Sequence, residues 1–386
     1  LAGLGAPGAL PGRGRLTTEP GGQIELSSAP AVGLDGCIAT ACRDLTAIHE
    51  AIGPAGLCLA GEGLDPFRSP RRVLDLPRYA AMEEFFNRAG PWGRLMMCST
   101  ASVQVCLDAG EEGSGPPSFG WRWRLLHAIG PVLVAAFANS PLRDGRPTGW
   151  KSTRQAIWHR LDPSRTRPPA SAEPAAAASQ QTDPRAAWTE YALAAKVMCV
   201  RRAGMRSWCA PAGLTFRDWL RGAGERPATR GDLLYHLSTL FPPVRPRGHL
   251  ELRVIDAQPG DGWIVPTAVV TALLDDPVAA ERAMAAAEVL WCDGDGQSAW
   301  LRAARQGPAD AGIAAASVRC FEAAGGALGR LGAPEHVRRA VIDFTERYVV
   351  RGRCPSDDRL DEARGAGEIR GHLGNRLTFP HTTREE

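Results

Sequence analysis

The chain has 386 residues, of which 44% are apolar and 23% are charged, a composition typical of a folded globular protein rather than a disordered one. Its 45 basic residues are nearly balanced by 42 acidic ones, so the net charge is only +3. Without a basic run or stripe, this balance argues against a general nucleic-acid-binding protein. The longest apolar stretch, around residues 132–138, is too short to span a bilayer, so we expect no membrane segment.

Only two of the basic residues are lysines, Lys151 and Lys196, and the rest are arginines. Together with abundant Ala, Gly and Pro, this bias is typical of a GC-rich genome. The ten cysteines are scattered and none forms a Cys-x-x-Cys pair, which argues against a zinc ribbon. A chain of this length does not need disulfide bonds for stability. We therefore interpret the cysteines as reduced thiols and expect a cytoplasmic protein.

The first half of the chain contains three predicted helices. Apolar residues at helical spacing predict one over residues 34–52 and another after Pro77. A third is predicted over residues 121–137, with an interruption at Gly130 and the proline that follows it.

The second half begins with a segment of low complexity at residues 168–187, which we predict to be a mobile loop. Residues 276–352 are rich in Ala and are predicted to form helices packed on a sheet. Asp276 is the predicted N-cap of the first of these helices, and Gly352 follows the last. The polar residues after Gly352 are predicted to form a loop.

Three short segments, residues 23–26, 100–108 and 250–254, alternate apolar and polar side chains, as strands with one buried face do. In the third segment, Glu251 and Arg253 project on the same polar face. An antiparallel sheet with one solvated side would explain any one of these strands. Together, however, their polar faces offer carboxylates, an amide and a guanidinium, and this combination indicates a binding surface.

The residue types on these faces suit phosphate chemistry. Carboxylates commonly hold Mg²⁺ together with substrate phosphates, and a guanidinium beside a carboxylate suits a phosphoryl group. The segment 149–152 (GWKS) lacks the P-loop pattern, so we expect metal ions and arginines to hold the phosphates of any bound nucleotide. This arrangement resembles the glutamine-synthetase-like ligases, which activate a carboxylate as an acyl phosphate above an antiparallel sheet.

Four segments then resemble one family of that superfamily, the plant and proteobacterial type of glutamate–cysteine ligase. The family's motifs EPGGQxExS, TxVQxxLD and ExRxxD match TEPGGQIELS at 18–27, MCSTASVQVCLD at 97–108 and HLELRVID at 249–256. Its FANSP and SxRxxIW block matches residues 137–158, followed by Asp162 and Arg165. The four segments occur in the order of the family, and the composition is most similar to the actinobacterial branch, which makes γ-glutamylcysteine for ergothioneine synthesis.

The resemblance implies an α+β fold with helices flanking an antiparallel sheet that forms the concave floor of the active site. It implies a single catalytic domain over residues 1–386. The implied reaction joins the γ-carboxylate of glutamate to the amine of cysteine, with ATP as co-substrate and Mg²⁺ as cofactor. These small molecules are the expected partners, and no nucleic acid or membrane is expected.

The resemblance also implies roles for individual residues. Arg253 meets the transferred phosphoryl group and acts in catalysis together with Glu251, and the remaining roles are metal or substrate binding. The implied metal ligands are Glu19, Glu25 and Glu251. The implied substrate-binding residues are Arg154 and Arg165 for the α-carboxylate of glutamate, Gln104 and Thr100 on the floor, and Trp158 as a wall.

Other interpretations of these residues stay open at this point. Arg154 and Arg165 are alternatively surface ion pairs, and Trp158 is alternatively part of the core. Thr100 is alternatively a structural hydroxyl, and Asp256 a turn cap. At the level of function, the alternatives are a ligase for another amine and a non-catalytic relative of the same fold. Members of the family also begin with a strand that carries E-x-E, and nothing before Glu19 supplies it, so we expect a start that is trimmed or absent.

Overall fold

A computed structural model describes residues 5–6, 8–169, 183–204, 207–291 and 296–372 of the chain. All strands named within these ranges are short and pair antiparallel. They are β1 (Arg15–Thr18), β2 (Ile24–Ser27), β3 (Ser102–Asp108), β4 (Leu142–Arg143), β5 (Arg146–Pro147), β6 (Val244–Pro246) and β7 (His249–Asp256).

The largest sheet has three strands in the order β3-β7-β6. Its register places Glu251 opposite both Cys106 on β3 and Arg245 on β6. One face of the sheet is apolar and consists of the buried side chains of Val105, Leu107, Leu250, Leu252 and Val254. The alternation predicted for β3 and β7 is therefore confirmed, and it turns Gln104, Glu251 and Arg253 to the other face.

The described helices of the first half include the three predicted ones, the third of which is divided in two, and three more that the sequence did not predict. They are α1 (Gly33–Ile52), α2 (Pro77–Asn87), α3 (Trp92–Ser99), α4 (Phe119–Ala128), α5 (Gly130–Ala136), α6 (Thr153–His159) and α7 (Pro163–Thr166). The break between α4 and α5 lies at Ile129, and Pro131 stands in the first turn of α5, where its missing N–H has no helical partner to lose.

The second half is largely helical. Its helices are α8 (Pro184–Ala194), α9 (Phe216–Asp218), α10 (Arg230–Leu237), α11 (Ile264–Asp275), α12 (Pro277–Glu288), α13 (Gly296–Gln306), α14 (Ala311–Arg330), α15 (Glu335–Arg347) and α16 (Pro355–His372). Asp276 caps α12 as predicted, because its side chain accepts a hydrogen bond from the backbone N–H of Ala279 at 2.8 Å. Gly352 follows the short 3₁₀ turn Val349–Arg351 and has a left-handed conformation, with φ of 62°.

Helices α5 and α11 cover the apolar face of the sheet, since α5 packs on β7 and α11 packs on β3. The helices within residues 276–352 were predicted to pack on the sheet. They pack mainly on this helical layer instead, with α14 contacting α5, α11 and α12. Among the described helices, none alone is long and apolar enough to cross a membrane. Only Gly260–Asp275 and Pro277–Trp291 together reach that length and composition, with a 102° bend between them.

The coarse prediction of an α+β fold is confirmed, and two of the three predicted strands, β3 and β7, lie in the central sheet. Strand β2, which overlaps the predicted strand at residues 23–26, pairs with β1 in a separate hairpin. The hairpin is stabilised by local pairing, which the alternation of side chains alone does not distinguish from pairing with the central sheet.

Two predicted loops are corrected. Residues 170–182 of the predicted loop at 168–187 lie outside the described residues, but its end forms the start of α8. Asp183 caps that helix by accepting a hydrogen bond from the backbone N–H of Arg185. In the polar segment after Gly352, residues 373–386 lie outside the described residues, and Pro355–His372 forms α16. Its first turn contains Pro355 and two aspartates, which is a helix-start pattern, and its polar composition concealed it.

The first turn of α16 attaches the helix to the segment before α6. Ser356 donates from its backbone N–H to the carbonyl oxygen of Ala138 at 2.9 Å, and its hydroxyl donates to the carbonyl oxygen of Lys151 at 2.5 Å. The ammonium group of Lys151 donates to Asp357, which also accepts from the backbone N–H of Cys354 at 3.0 Å. These contacts fix one side of the segment from which Arg154 projects.

We predict that the substitution Asp357→Asn destabilises the protein by about 1.5–3 kcal/mol at pH 7, because it weakens half-buried hydrogen bonds that involve charged groups. Burial raises the pKa of Asp357, but the hydrogen bonds from Lys151 and Cys354 outweigh it and the net shift is downward. The stability that the ionised Asp357 contributes is therefore fully present above the pKa of an Asp in the unfolded chain. It decreases as the pH falls through the lower pKa that Asp357 has in the folded protein, and the difference between the two proteins decreases with it.

Urea unfolding at several pH values measures this difference. The matched control is Asp361→Asn on the same helix, which removes exposed ion pairs with Arg353 and Arg364. This substitution should lower the free energy of unfolding by less than about 1 kcal/mol. Equal losses in the two variants would contradict the attachment.

Candidate active site

The turn of the β1–β2 hairpin is fixed against the end of α3. A side chain at Gly21 would place its Cβ only 2.2 Å from the carbonyl oxygen of Cys98, so only glycine permits this approach. Gln23 accepts a hydrogen bond from the backbone N–H of Gly21 at 3.0 Å. Its amide nitrogen donates to the carbonyl oxygens of Met97 at 3.3 Å and Thr100 at 3.1 Å. The turn that carries Glu19 is thereby set next to the start of β3.

Glu19 and Glu25, both predicted metal ligands, lie side by side on this hairpin. The pKa of Glu19 is raised to about 7, first by burial and then by the charge of Glu25 and a hydrogen bond between the two side chains. The positive charges of Arg253 and Arg78 act on Glu19 in the opposite direction. The hairpin thus presents two neighbouring carboxyl groups, of which Glu19 titrates near neutral pH within the electrostatic reach of Arg253.

Glu251 is enclosed by arginines on the polar face of the central sheet. The guanidinium of Arg245 donates to both of its oxygens, from Nη2 at 2.8 and 2.9 Å and from Nε at 3.2 Å. Nη1 of Arg253 donates to the same carboxylate and, at 2.9 Å, to Oε1 of Gln104. Burial raises the pKa of Glu251, but the charges of Arg253 and Arg245 outweigh it and the net shift is downward. Glu251 is therefore an ionised carboxylate paired with two guanidinium groups.

Arg154 lies at the other end of β7, on the first turn of α6. Ser152 caps that helix by accepting a hydrogen bond from the backbone N–H of Gln155 at 3.2 Å. Nη2 of Arg154 donates to the carbonyl oxygen of Arg253 at 2.8 Å, and its guanidinium carbon lies 6.0 Å from the ring centre of Trp158. Within the described part of the chain, Nη1 of Arg154 and Nε1 of Trp158 are both buried without a hydrogen-bond partner. Buried donors that stay unsatisfied are rare in folded proteins, so each of these two needs an explanation.

The predicted residues Arg165 and Thr100 have their polar atoms engaged elsewhere in the protein. Arg165 is fully buried. Its Nη1 donates to the carbonyl oxygen of Thr239 at 2.7 Å, its Nη2 to that of Lys196, and its Nε lies 3.4 Å from Asp162. The hydroxyl of Thr100 donates to the carbonyl oxygen of Met96 at 2.7 Å. Both side chains stabilise the scaffold in this structure.

The structure thus brings Gln104, Glu251 and Arg253 into direct contact and connects Arg154 to them through the backbone of Arg253. The interpretation of Arg154 and Arg165 as surface ion pairs is wrong, because only 3% and 0% of these residues are exposed.

Sequence reasoning also missed Arg245 and gave Asp256 only a turn-capping role. Arg245 stands opposite Glu251 across a hairpin turn. The register of that hairpin was the signal that could have identified it.

Among the residues that the structure describes, no group of three or more His, Cys, Asp or Glu side chains is arranged to hold a metal ion. Glu251 does not join the Glu19–Glu25 pair in such a group, since two arginines bind its oxygens. The pair itself fits Mg²⁺, because this ion is commonly held by one or two carboxylates together with substrate phosphates. The proton held at Glu19 near pH 7 marks the position where a cation would be favourable.

Comparisons with known proteins agree with the motifs. A family model described as Glutamate-cysteine ligase family 2 (GCS2) matches residues 6–378. The chain is 41% identical over 366 residues to "Glutamate--cysteine ligase EgtA" of Mycobacterium tuberculosis H37Rv, a match that covers 93% of this chain and 79% of that protein. It is 40% identical over 369 residues to the EgtA protein of Mycolicibacterium smegmatis, covering 93% and 80%.

A more distant relative is the chloroplastic glutamate–cysteine ligase of Medicago truncatula, which is 32% identical over 281 residues, covering 71% of this chain and 53% of that protein. These comparisons confirm the class of enzyme predicted from the four motif segments. The chain belongs to glutamate-cysteine ligase family 2.

We predict that the substitution Glu25→Gln lowers the pKa of Glu19 below 7 and leaves it above the ordinary value of a Glu, because burial of Glu19 persists when the neighbouring charge is removed. Carboxyl-carbon NMR of the ¹³C-labelled protein, assigned with Glu19→Gln, follows this titration. Glu190→Gln is the control, since it removes an exposed carboxylate paired with Arg217 and should leave the pKa of Glu19 unchanged. An unchanged Glu19 titration in Glu25→Gln would show that the two carboxylates do not interact.

Proposed function

We propose that this protein joins the γ-carboxylate of L-glutamate to the amine of L-cysteine with consumption of ATP, giving γ-glutamylcysteine for ergothioneine biosynthesis. ATP phosphorylates the γ-carboxylate, and the cysteine amine then displaces phosphate from the γ-glutamyl phosphate. The family membership and the 41% identity to a relative named glutamate–cysteine ligase support this activity. The observation in the fold that carries it is the cluster of Arg253, Glu251 and Gln104 on the polar face of the sheet.

Arg253 is the proposed catalytic residue for phosphoryl transfer. Its side chain is held by Glu251 and Gln104, so the guanidinium is oriented before the substrates arrive. A fixed positive group costs no reorganisation when negative charge moves onto the transferred phosphoryl group, and preorganised donors of this kind lower the barrier most effectively. Glu251 acts in the same step by holding Arg253, and Arg245 keeps Glu251 ionised.

Glu19 and Glu25 are the residues that would hold Mg²⁺. When bound, the ion neutralises charge on the phosphates of ATP. A proton on Glu19 competes with the ion, so the affinity of the hairpin for Mg²⁺ should fall as the pH drops below about 7. Glu251 would bind the ion only by exchanging its contact with Arg245 or Arg253 for it.

Arg154 and Trp158 are the proposed contacts for the α-carboxylate of glutamate. Nη1 of Arg154 and Nε1 of Trp158 are buried donors without partners among the described residues, and a carboxylate supplies the acceptors that they lack. Gln104 lies on the floor beside Arg253. For Arg165 and Thr100 we propose indirect roles, in which they hold the scaffold around the substrates through the contacts described above.

We further propose that the scaffold is of the glutamine-synthetase-like type, with the three-stranded sheet as the floor of the site. The described cysteines are free thiols, which supports the proposal of a cytoplasmic enzyme.

The proposal predicts release of ADP that requires glutamate, cysteine and Mg²⁺ together. A coupled assay for ADP measures it, and mass spectrometry identifies γ-glutamylcysteine as the product. Omitting cysteine is the matched control and should reduce steady-state ADP release to background.

If another amine supports release better than cysteine does, the enzyme is a ligase for that amine. If glutamate or ATP raises the melting temperature without any turnover, the chain is a binding protein of the same fold. Either result contradicts the proposed function.

A further inference from the structure

Asp256, the last residue of β7, lies at the meeting point of three segments. The carboxylate is 1% exposed and receives three hydrogen bonds from protein donors. They come from the backbone N–H of Asn139 at 2.9 Å, the hydroxyl of Ser140 at 2.7 Å and the hydroxyl of Ser152 at 2.9 Å. A buried carboxylate is costly unless such donors and a counter-charge surround it. Asp256 therefore accepts more hydrogen bonds than the capping of a turn requires.

The two oxygens of Asp256 serve different neighbours. Oδ2 accepts the hydrogen bonds from Asn139 and Ser140. Oδ1 accepts the hydrogen bond from Ser152 and lies 3.6 Å from Nη1 of Arg154. Oδ1 is thus the counter-charge to the same guanidinium nitrogen that has no hydrogen-bond partner.

The guanidinium of Arg154 is consequently held from two sides. Nη2 donates to the carbonyl oxygen of Arg253 at 2.8 Å. Nη1 is attracted by the charge of Asp256 at 3.6 Å but does not form a hydrogen bond with it. The backbone N–H of Arg154 also donates to the hydroxyl of Ser140, which itself donates to Asp256. Asp256 therefore influences both the side chain and the backbone of Arg154.

We propose that Asp256 is a positioning residue for glutamate: it fixes the guanidinium of Arg154 in the orientation that receives the α-carboxylate. This inference rests on the proposed function, in which Arg154 binds glutamate. Asp256 does not itself touch the substrate. Its contribution is to glutamate affinity, because a guanidinium already fixed in place loses less conformational entropy on binding.

The substitution Asp256→Asn separates this role from a purely structural one. The backbone N–H of Asn139 can only donate, so the new amide oxygen must stay on the Oδ2 side. The new NH₂ group then faces Ser152, whose hydroxyl can accept, and Arg154, which cannot. The variant thus keeps the acceptor for Asn139 and Ser140, reverses the direction of the hydrogen bond with Ser152, and leaves Arg154 without its counter-charge.

We expect Asp256→Asn to raise the KM for glutamate about tenfold or more, while the KM values for ATP and cysteine and the kcat change by less than about threefold. A structural role would instead lower kcat with the fraction of folded enzyme. In Arg154→Lys the KM for glutamate should also rise. The double variant should be no worse than Arg154→Lys alone, since both substitutions disturb one contact.

The matched control is Asp276→Asn, a buried helix-capping aspartate paired with Arg330 away from α6. It should lower the melting temperature and leave the KM for glutamate unchanged. An unchanged KM in a folded Asp256→Asn variant overturns the proposal, and so does an unchanged KM in Arg154→Lys, whatever the stability of the first variant. The proposed function fails separately, if the unsubstituted enzyme does not turn over glutamate and cysteine.

Discussion

The pairing of Glu251 with Arg245 and Arg253 is the interaction around which the site is organised. Burying three charged groups costs several kcal/mol per ion unless their hydrogen-bonding groups are matched, and here the carboxylate meets donors from both guanidinium groups. The match requires one register across β6 and β7, because a slip of one residue would move Glu251 to the apolar face. The cluster therefore determines the register of the sheet, and the sheet determines the direction in which the side chain of Arg253 projects.

The rest of the fold supplies the surroundings that this cluster needs. The apolar helices α5 and α11 seal the other face of the sheet, so that water reaches the polar face only. The β1–β2 hairpin brings Glu19 within electrostatic reach of Arg253, and α6 brings Arg154 to its backbone. The site thus combines a carboxyl group whose pKa is raised to about 7 with guanidinium groups that are already paired, which suits the handling of a phosphorylated, multiply charged substrate.

The sequence alone predicted β2, β3, β7 and the polar face, because an alternation of period two is a local signal. It could not predict that β2 pairs with β1 or that Arg245 meets Glu251, since strand pairing is not local. Nor could the spacing of Arg154 and Arg165 distinguish them, although one retains an unpaired donor and the other is saturated by backbone carbonyls. Helix α16 was missed because it lacks an apolar stripe and is attached by Ser356 and Asp357 through polar contacts.

The central claim is that Arg253, held by Glu251, acts on the phosphoryl group during transfer rather than on the binding of ATP. A rapid-quench measurement of single-turnover ADP formation, at saturating glutamate, cysteine and Mg-ATP, compares the unsubstituted enzyme with Arg253→Met. The account predicts a rate that is lower by about 100-fold, with the dissociation constant of Mg-ATP changed by less than about threefold. An unchanged single-turnover rate, accompanied by weaker binding of Mg-ATP, would contradict it.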